Sequence, residues 1–493
     1  MIQFLRQNPA LGLFILIFLI IRIFWSGFLP LMDFSEARYA EMARKMLEYD
    51  DWITLWFSRE LPFWGKPPLS FWAVATSFTL FGINEFASRL PSLLFTLATA
   101  GLIYHWVKLP DTESEQHEAE NQHNLERTAR FAFVIYLSCW LVLHTAGAVI
   151  TDPALTFSTT LVMMGFWRGV KHGEAPYTYL MWGALGFGLL TKGPIALVLC
   201  GLPCAFWVLF NNQWRLFWPN IKLFTGLILM LLVAAPWYWL AEQKTPGFFE
   251  YFIIGEHFLR FTETAWSGDL YGGVKDQPHG TIWLYLIVAL LPFSPIVLIR
   301  ALRKSGRSAL KTSFQTNKLL MVYLIAWLLA PVLFFTVAKN ILITYVLTGI
   351  PAASILIAKH VDDWLVPQRW FYRFVIGASL GFCLIYTLTY QLYIKDHYYN
   401  QKPLVAEYLE LNETNPGPLV YWGDPLFSVI FYTGDQVVFP GPKVHEHYYD
   451  ETHYHAVRNM WIQATESPSF FDRCTSMKYH GDYTLFYCPQ TLP

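Results

Sequence analysis

The chain has 493 residues, of which 54% are hydrophobic and 18% aromatic, and only 14% are charged. Soluble domains carry about 25% charged residues, so this composition excludes a soluble multidomain protein. The net charge of -1 excludes a broadly basic nucleic-acid-binding surface. We therefore expect an all-α, polytopic membrane protein that binds no nucleic acid.

Apolar runs recur along the chain as far as residue 394. The first follows Arg6 and contains no small-residue cleavage site before Pro30, so it is interpreted as a retained helix rather than a removed signal peptide. Because a span needs roughly 20 apolar residues, the pattern predicts about eleven transmembrane helices. They are placed near 9–30, 84–107, 131–150, 153–170, 177–191, 193–210, 219–240, 281–300, 318–337, 341–358 and 371–394.

The distribution of Lys and Arg predicts the orientation. The most basic stretch runs from Arg300 to Lys318, and a second basic loop carries Arg168 and Lys171. Both lie on the same side of the membrane as the N-terminus, and the positive-inside rule makes that side cytoplasmic. The acidic loop 108–130 lies on the same side and is predicted to be a flexible linker. The first loop 31–83, the loop 241–280 and the tail 395–493 then lie outside.

The tail is predicted to be a separate domain. Its alternating runs, Pro418 to Trp422 and Gln436 to Phe439, are typical of strands. The sequence therefore predicts a transmembrane domain at 1–394 and a small α/β or mostly β domain at 395–493. Cys474 and Cys488 can form a disulfide if the tail is extracytoplasmic.

Loop 31–83 holds the most informative motif. From Ser35 the pattern turns helical, with Glu36 and Glu41 among apolar residues, which indicates an amphipathic helix along the membrane surface. Solvated charges on an interfacial helix are the simpler explanation of these acids. Lys66, followed by two prolines, returns the chain to the bilayer, and snorkelling is its simpler role.

Ionisable residues also lie where apolar segments meet. Asp152 and Lys192 each separate two predicted spans, and such costly positions are functional hypotheses by default. Glu256 and Arg260 have the spacing of a helical salt bridge, and an isolated His257 is more often structural. In the predicted topology the charged residues fall on one membrane face, as expected for a reaction of a lipid-borne anion. These residues are Asp33, Glu36, Arg38, Lys66, Asp152, Lys192, Glu256, Arg260 and Lys339.

Several motifs resemble the aminoarabinose transferase-like and protein mannosyltransferase-like glycosyltransferases, of the glycosyltransferase-C group (family 39/83 type). They occur in order along most of the transmembrane domain. The motifs are Glu36-Ala37-Arg38-Tyr39-Ala40-Glu41, Asp50-Asp51-Trp52, Lys66-Pro67, Thr151-Asp152-Pro153, Leu190-Thr191-Lys192-Gly193, Glu256-His257-Phe258-Leu259-Arg260-Phe261, and Ala338-Lys339 with Thr344-Tyr345.

The resemblance implies a glycosyltransferase-C fold in the bacterial inner membrane. It also implies an undecaprenyl-phosphate sugar donor, inverting transfer on the periplasmic side, and a lipid A or lipopolysaccharide-type acceptor, as in 4-amino-4-deoxy-L-arabinose transferases. Three positions depart from the aminoarabinose transferase pattern. Ser35 replaces an acid, Gly65 replaces a glutamate, and the segment after Lys339 lacks a second lysine.

The roles of the residues follow from the charge that develops on the leaving phosphate. Fixed cations stabilise that charge, a task assigned to Arg38, Lys66, Arg260 and Lys339, with Tyr345 as a neutral donor. Further residues predicted to bind substrate are Tyr39, Lys192, Glu256 and His257. A hydroxyl acceptor needs a base, for which Asp33 and Glu36 are the candidates, with Asp152 orienting the sugar or its partners. We expect no metal and no cofactor.

Three alternatives stay open. A protein O-mannosyltransferase-like enzyme would transfer the sugar to a protein hydroxyl. A secondary transporter would also explain many spans, although it usually has internal repeats and midplane charges, which this sequence lacks. A cell-surface polysaccharide ligase or polymerase would use a lipid-linked donor without the first-loop motif. Glycoforms of lipids and proteins with and without the gene discriminate among them.

Overall fold

The structure is a computed structural model of the full chain. It describes residues 8–33, 35–110, 119–259, 266, 268–271, 277–338, 340–361, 367–395, 397, 399–423, 426–439, 451–464 and 474–490.

Helices dominate the chain as far as residue 394. The first ten α-helices are α1 (Pro9–Phe28), α2 (Ser35–Glu48), α3 (Leu69–Phe81), α4 (Glu85–Lys108), α5 (Ala119–Ser138), α6 (Trp140–Thr145), α7 (Asp152–Phe166), α8 (Ala175–Lys192), α9 (Ile195–Phe210) and α10 (Trp214–Asn220). The next seven are α11 (Leu223–Lys244), α12 (Thr281–Ala289), α13 (Phe293–Leu302), α14 (Lys304–Thr316), α15 (Lys318–Phe335), α16 (Ile350–Lys359) and α17 (Gln368–Thr389). Short π-helices occupy Trp167–Lys171, Glu250–Leu259 and Tyr390–Ile394, and a 3₁₀-helix occupies Ile343–Gly349.

The helices confirm a polytopic membrane protein. Within the described ranges, five helices are long and apolar enough to cross a bilayer, namely α1, α4, α11, α15 and α17 with its π-helical end. A sixth span results if α12 and α13, bent by 107°, are taken together. Every predicted apolar segment contains helix, but several are short or broken, so the count of eleven spans stays a prediction. The linker expectation is wrong for residues 119–130, which form the polar beginning of α5.

The tail carries a small mixed sheet. Helix α18 (Lys402–Thr414) is followed by β1 (Leu419–Tyr421), α19 (Phe427–Thr433), β2 (Val437–Val438), β3 (His453–Arg458), α20 (Asn459–Ala464), β4 (Thr475–His480) and β5 (Tyr483–Cys488). The strand order is β2-β1-β3-β5-β4, with parallel pairing of β1 to β2 and β3. Strand β5 pairs antiparallel to β3 and β4. This confirms a small α/β fold and both predicted strands, while the boundary at residue 395 stays a prediction.

Helix α2 packs its small residues inward. Ala37, Ala40 and Ala43 have no exposed surface, and they join a hydrophobic cluster with α3 and with Phe427 and Phe431 of α19. The small side chains let neighbouring helices approach closely. The first loop and the tail therefore share one core, next to the charged residues described below.

Candidate active site

Glu36, near the beginning of α2, is held by a buried arginine. Arg89 of α4 donates to Glu36 from Nη2 (2.9 Å) and Nε (3.2 Å), and the backbone N–H of Val149 donates to Glu36 at 3.1 Å. Burial alone would raise the pKa of Glu36, but the Arg89 guanidinium and the Val149 N–H together outweigh burial and hold this pKa below its ordinary value. Glu36 is therefore an ionised partner of Arg89.

Asp33 contacts the tail. Its Oδ1 accepts from the N–H of Phe427 (2.8 Å), and its Oδ2 accepts from both the N–H (3.1 Å) and the hydroxyl of Ser428. Burial raises the pKa of Asp33 to about 6, although the Ser428 hydrogen bonds and Arg38 oppose the rise. Both oxygens of this predicted base thus cap helix α19.

Arg38 and Tyr39 lie on the next residues of α2. The Arg38 guanidinium is 5.4 Å from the centre of the Tyr39 ring and 5.8 Å from that of Phe63. Its Nε is buried and has no hydrogen-bond partner within the described part of the chain. Tyr39 packs edge-on against Phe71 of α3, with ring centres 5.1 Å apart. Arg38 is therefore a cation placed on aromatic faces with unused donor capacity, which suits a bound anion.

Asp152 and Lys192 form an ion pair between the beginning of α7 and the end of α8. Lys192 Nζ donates to Asp152 Oδ1 at 2.8 Å and lies 4.7 Å from the centre of the Tyr345 ring. The Lys192 side chain is 13% exposed and the Asp152 side chain 10%, so the pair is largely shielded from solvent. These three predicted residues, distant in sequence, are in contact.

Lys66, Glu256 and His257 lie next to the pair formed by Asp152 and Lys192. Lys66 Nζ is 3.4 Å from Glu256 Oε2. His257 Nδ1 donates to the carbonyl of Phe252 (2.7 Å), and its Nε2 lies 3.3 Å from the carbonyl of Lys192. Burial lowers the pKa of His257, and Lys66 adds to this effect. The imidazole is therefore a neutral link between the π-helix and α8.

The structure brings most of the predicted residues together. Contacts join Lys66 to Glu256, His257 to Lys192, and Lys192 to Asp152 and Tyr345. Arg38 contacts Phe63, three residues before Lys66 in the sequence. Glu36 and Asp33 border this set but face Arg89 and α19. Arg260 and Lys339 lie outside the described residues. Cys474 and Cys488 form the predicted disulfide.

Sequence reasoning missed Arg89. It is 2% exposed, and besides Glu36 it binds the carbonyls of Ser26, Leu29 and Pro30. An arginine inside the predicted span 84–107 is a costly intramembrane charge, which is the signal that could have identified it. Nothing in the sequence pointed to α19 as a partner of Asp33.

Among the described residues, one group of three side chains has a spacing that could hold a metal ion, namely His453, His455 and Cys488 in the tail. Cys488 is bonded to Cys474, so its sulfur is no thiolate. The indole N–H of Trp422 donates to Nδ1 of His455, which places the proton of the neutral ring on Nε2. This group therefore fits a metal poorly.

Comparison with known proteins supports this architecture. Residues 10–252 match the family model described as Dolichyl-phosphate-mannose-protein mannosyltransferase. The chain is 30% identical over 337 residues to an undecaprenyl phosphate-alpha-4-amino-4-deoxy-L-arabinose arabinosyl transferase of Edwardsiella ictaluri, covering 66% of this chain and 55% of that protein. A transferase of the same name from Erwinia tasmaniensis is 29% identical, with 66% and 54% covered. The chain thus spans about half the length of the curated relatives it matches.

Solved structures match over nearly the whole chain. The crystal structure of ArnT from Cupriavidus metallidurans bound to undecaprenyl phosphate superimposes with a TM-score of 0.73, at 18% identity and 97% coverage of both chains. The apo structure of the same protein gives 0.74, at 19% identity and 98% coverage.

The fold and the charged set at its helix ends define a multi-pass protein of the bacterial inner membrane with the glycosyltransferase-C fold. The chain is similar in sequence to aminoarabinose transferases over 66% of its length and similar in fold to ArnT over nearly all of it, in agreement with the resemblance found in the sequence.

Proposed function

We propose that this protein transfers a sugar from undecaprenyl phosphate to a glycolipid acceptor on the periplasmic side of the membrane, by an inverting reaction. The names of its relatives and the undecaprenyl phosphate bound to ArnT support this donor. The observation that carries the proposal is the set of cations Arg38, which lies over Tyr39, Lys192, which lies over Tyr345, and Lys66, which pairs with Glu256.

The leaving group explains why cations are needed. As the bond between sugar and phosphate oxygen breaks, negative charge grows on the phosphate, and pre-positioned cations in a partly dehydrated site stabilise it. Arg38, whose buried Nε has no described partner, is suited to donate to the phosphate. Lys66 contributes positive charge nearby, and Tyr345, under the Lys192 ammonium, lies where a neutral donor is useful.

The engagement of the first-loop acids favours an anionic acceptor. Glu36 is paired with Arg89, and both oxygens of Asp33 accept hydrogen bonds from α19. A protein or sugar hydroxyl requires a base to remove its proton, so one of these acids would have to be released. A phosphate on a lipid A-type acceptor is already ionised and has no such requirement. A glycolipid acceptor therefore fits the site better than a protein acceptor.

The alternative is a protein hydroxyl acceptor, which the name of the matching family model favours. In this case Asp33 would have to leave α19, or Glu36 would have to leave Arg89, to act as the base. We propose that either reaction is independent of metal and cofactor, because lysine and arginine supply the charge that a metal would otherwise provide.

Mass spectrometry of membranes from cells with and without the gene tests the proposal. We expect lipid A-type glycolipids to lose the mass of one sugar in the deletion strain, and purified protein with an undecaprenyl-phosphate sugar to restore it in EDTA. Loss of sugar from proteins alone would establish the hydroxyl acceptor instead. Unchanged lipid and protein glycoforms, with an inactive purified protein, would reject the transferase.

A further inference from the structure

We propose that Asp33 is a positioning residue rather than the base, and that through it the tail helix α19 fixes the position of α2 in the active site. The inference rests on the proposed function, since α2 carries Arg38 and Tyr39. It makes the C-terminal domain a working part of the transferase.

Within the part of the chain that the structure describes, the Asp33 carboxylate accepts hydrogen bonds only from the beginning of α19. Three donors, all from Phe427 and Ser428, occupy the two carboxylate oxygens. The backbone N–H groups at the beginning of a helix have no partners within the helix, and a carboxylate is among the strongest acceptors for them. Asp33 satisfies these groups from more than 390 positions away in the sequence.

A second connection joins the same two regions. The Tyr432 hydroxyl in α19 accepts from the N–H of Leu31 (2.8 Å) and donates to Glu85 at the beginning of α4 (3.0 Å). Lys402 of α18 forms an ion pair with the same Glu85 carboxylate. The backbone on the N-terminal side of α2 is thus held by the tail at residues 31 and 33.

Apolar packing couples the two helices directly. The Phe427 ring lies 5.0 Å from that of Phe57, and the Phe431 ring lies 6.2 Å from that of Phe78 in α3. Both phenylalanines belong to the cluster that buries the small face of α2, including Ala37 and Ala40. Because close-packed cores do not deform continuously, a shift of α19 moves α2, and with it Arg38 and Tyr39.

Positioning and base catalysis predict different mutational patterns. Asp33→Asn keeps one acceptor oxygen but cannot take a proton, whereas Ser428→Ala removes one of the three donors and leaves the Asp33 carboxylate intact. If Asp33 acts through α19, we expect Asp33→Asn and Ser428→Ala each to lower kcat/KM by about tenfold, the usual scale of a lost cap. The double variant should lose no more than the worse single variant, because both changes break one contact.

Covalent rescue supplies a readout that a purely structural loss would not give. The Ser428 hydroxyl contacts the Asp33 carboxylate directly, so Asp33→Cys combined with Ser428→Cys should form a disulfide. We expect this variant to be active when oxidised and impaired when reduced. Wild type treated with the same reductant controls for the native Cys474–Cys488 bond, and Glu413→Gln, on the exposed surface of α18, controls for changes in the tail.

Two results would overturn the inference. One is transfer abolished in Asp33→Asn while Ser428→Ala stays within twofold of wild type, which is the pattern of a base. The other is an oxidised cysteine pair as inactive as the reduced one. If wild type itself transfers no sugar, the proposed function fails, and the thermal stability of the oxidised and reduced pair then shows whether the tail is still anchored at Asp33.

Discussion

At the scale of single residues, the two acids at the beginning of the first-loop helix have opposite electrostatic environments. Glu36 faces the Arg89 guanidinium, which holds its pKa low, whereas burial raises the pKa of Asp33 to about 6. The sequence shows two similar acids three residues apart. Their partners are both distant in sequence and differ in kind: Glu36 forms an ion pair with Arg89, whereas Asp33 caps helix α19.

Glu36→Gln should destabilise the protein. Breaking a buried pair leaves Arg89 without its counter-charge, which costs about 3–5 kcal/mol. Because the pKa of Glu36 is lowered in the folded state, its stabilisation is present above the ordinary value near 4.5 and is lost as the pH falls below that value. Thermal unfolding between pH 3 and 7 should therefore show a shallower acid limb in the variant.

Glu48→Gln is the matched control for this experiment. Glu48 lies on the same helix as Glu36 and also pairs with an arginine, Arg44, at 2.9 Å. The Glu48 side chain, however, is 38% exposed. Exposed pairs contribute about 0–1 kcal/mol, so the control should melt near wild type. An equal drop in unfolding temperature in both variants would contradict the conclusion that the Glu36–Arg89 pair is the stabilising one.

Arg38→Lys should weaken donor binding. Lysine keeps the charge but loses the planar, multiple-donor geometry that suits a phosphate, so we expect the donor KM to rise about tenfold. Arg215→Lys, at an exposed position in α10, is the control. An unchanged donor KM in Arg38→Lys, with reduced kcat alone, would show that Arg38 acts at another step.

At the scale of elements, hydropathy predicted where helices occur but not how they divide. The segment 131–150 contains two helices, α5 and α6, and 281–300 contains two joined at a sharp bend. Apolar periodicity reports burial, which is similar on both sides of a break. The site residues were predicted because ionisable residues are rare where apolar membrane segments meet, whereas the role of Arg89 and the α19 contact depend on long-range packing.

The end of α8 is a close approach that only glycine permits. Gly193 has φ +78°, and an added Cβ would lie 2.6 Å from the Phe252 ring and 3.1 Å from the His257 ring. Gly193→Ala should therefore strain the backbone and push the π-helix away from Lys192, at a cost of roughly 2 kcal/mol or more. The thermal unfolding temperature and kcat/KM should both fall.

Gly183→Ala, on the same helix, is the control for Gly193→Ala. An added Cβ at Gly183 meets no atom within 4 Å, and alanine is about 1 kcal/mol better than glycine inside a helix. We expect this variant to be as stable as wild type or more so. A Gly193→Ala protein with wild-type stability and activity would show that the contact between α8 and the π-helix can be displaced without loss of either property.

At the scale of the whole molecule, residues from both ends of the chain meet at one site. The first loop, the ends of α7 and α8, the π-helix and Tyr345 supply the charges, and the tail holds the first loop in place. Since these parts contact one another, they must lie on the same side of the membrane. The sidedness of the tail therefore decides the sidedness of the reaction.

The disulfide of the tail reports that sidedness in living cells. Cys474 and Cys488 are bonded in the structure, and such bonds persist in the periplasm but are reduced in the cytosol. Rapid acid trapping followed by alkylation with a mass-tagged maleimide should leave both thiols unmodified in wild-type cells. In cells that lack the periplasmic thiol-oxidising system, both should be modified. Cys474→Ser frees Cys488 alone and marks the shift caused by one tag, half of the shift expected for the reduced pair. Free thiols in wild-type cells would place the tail, and with it the active site, in the cytoplasm, where the proposed periplasmic acceptor is absent.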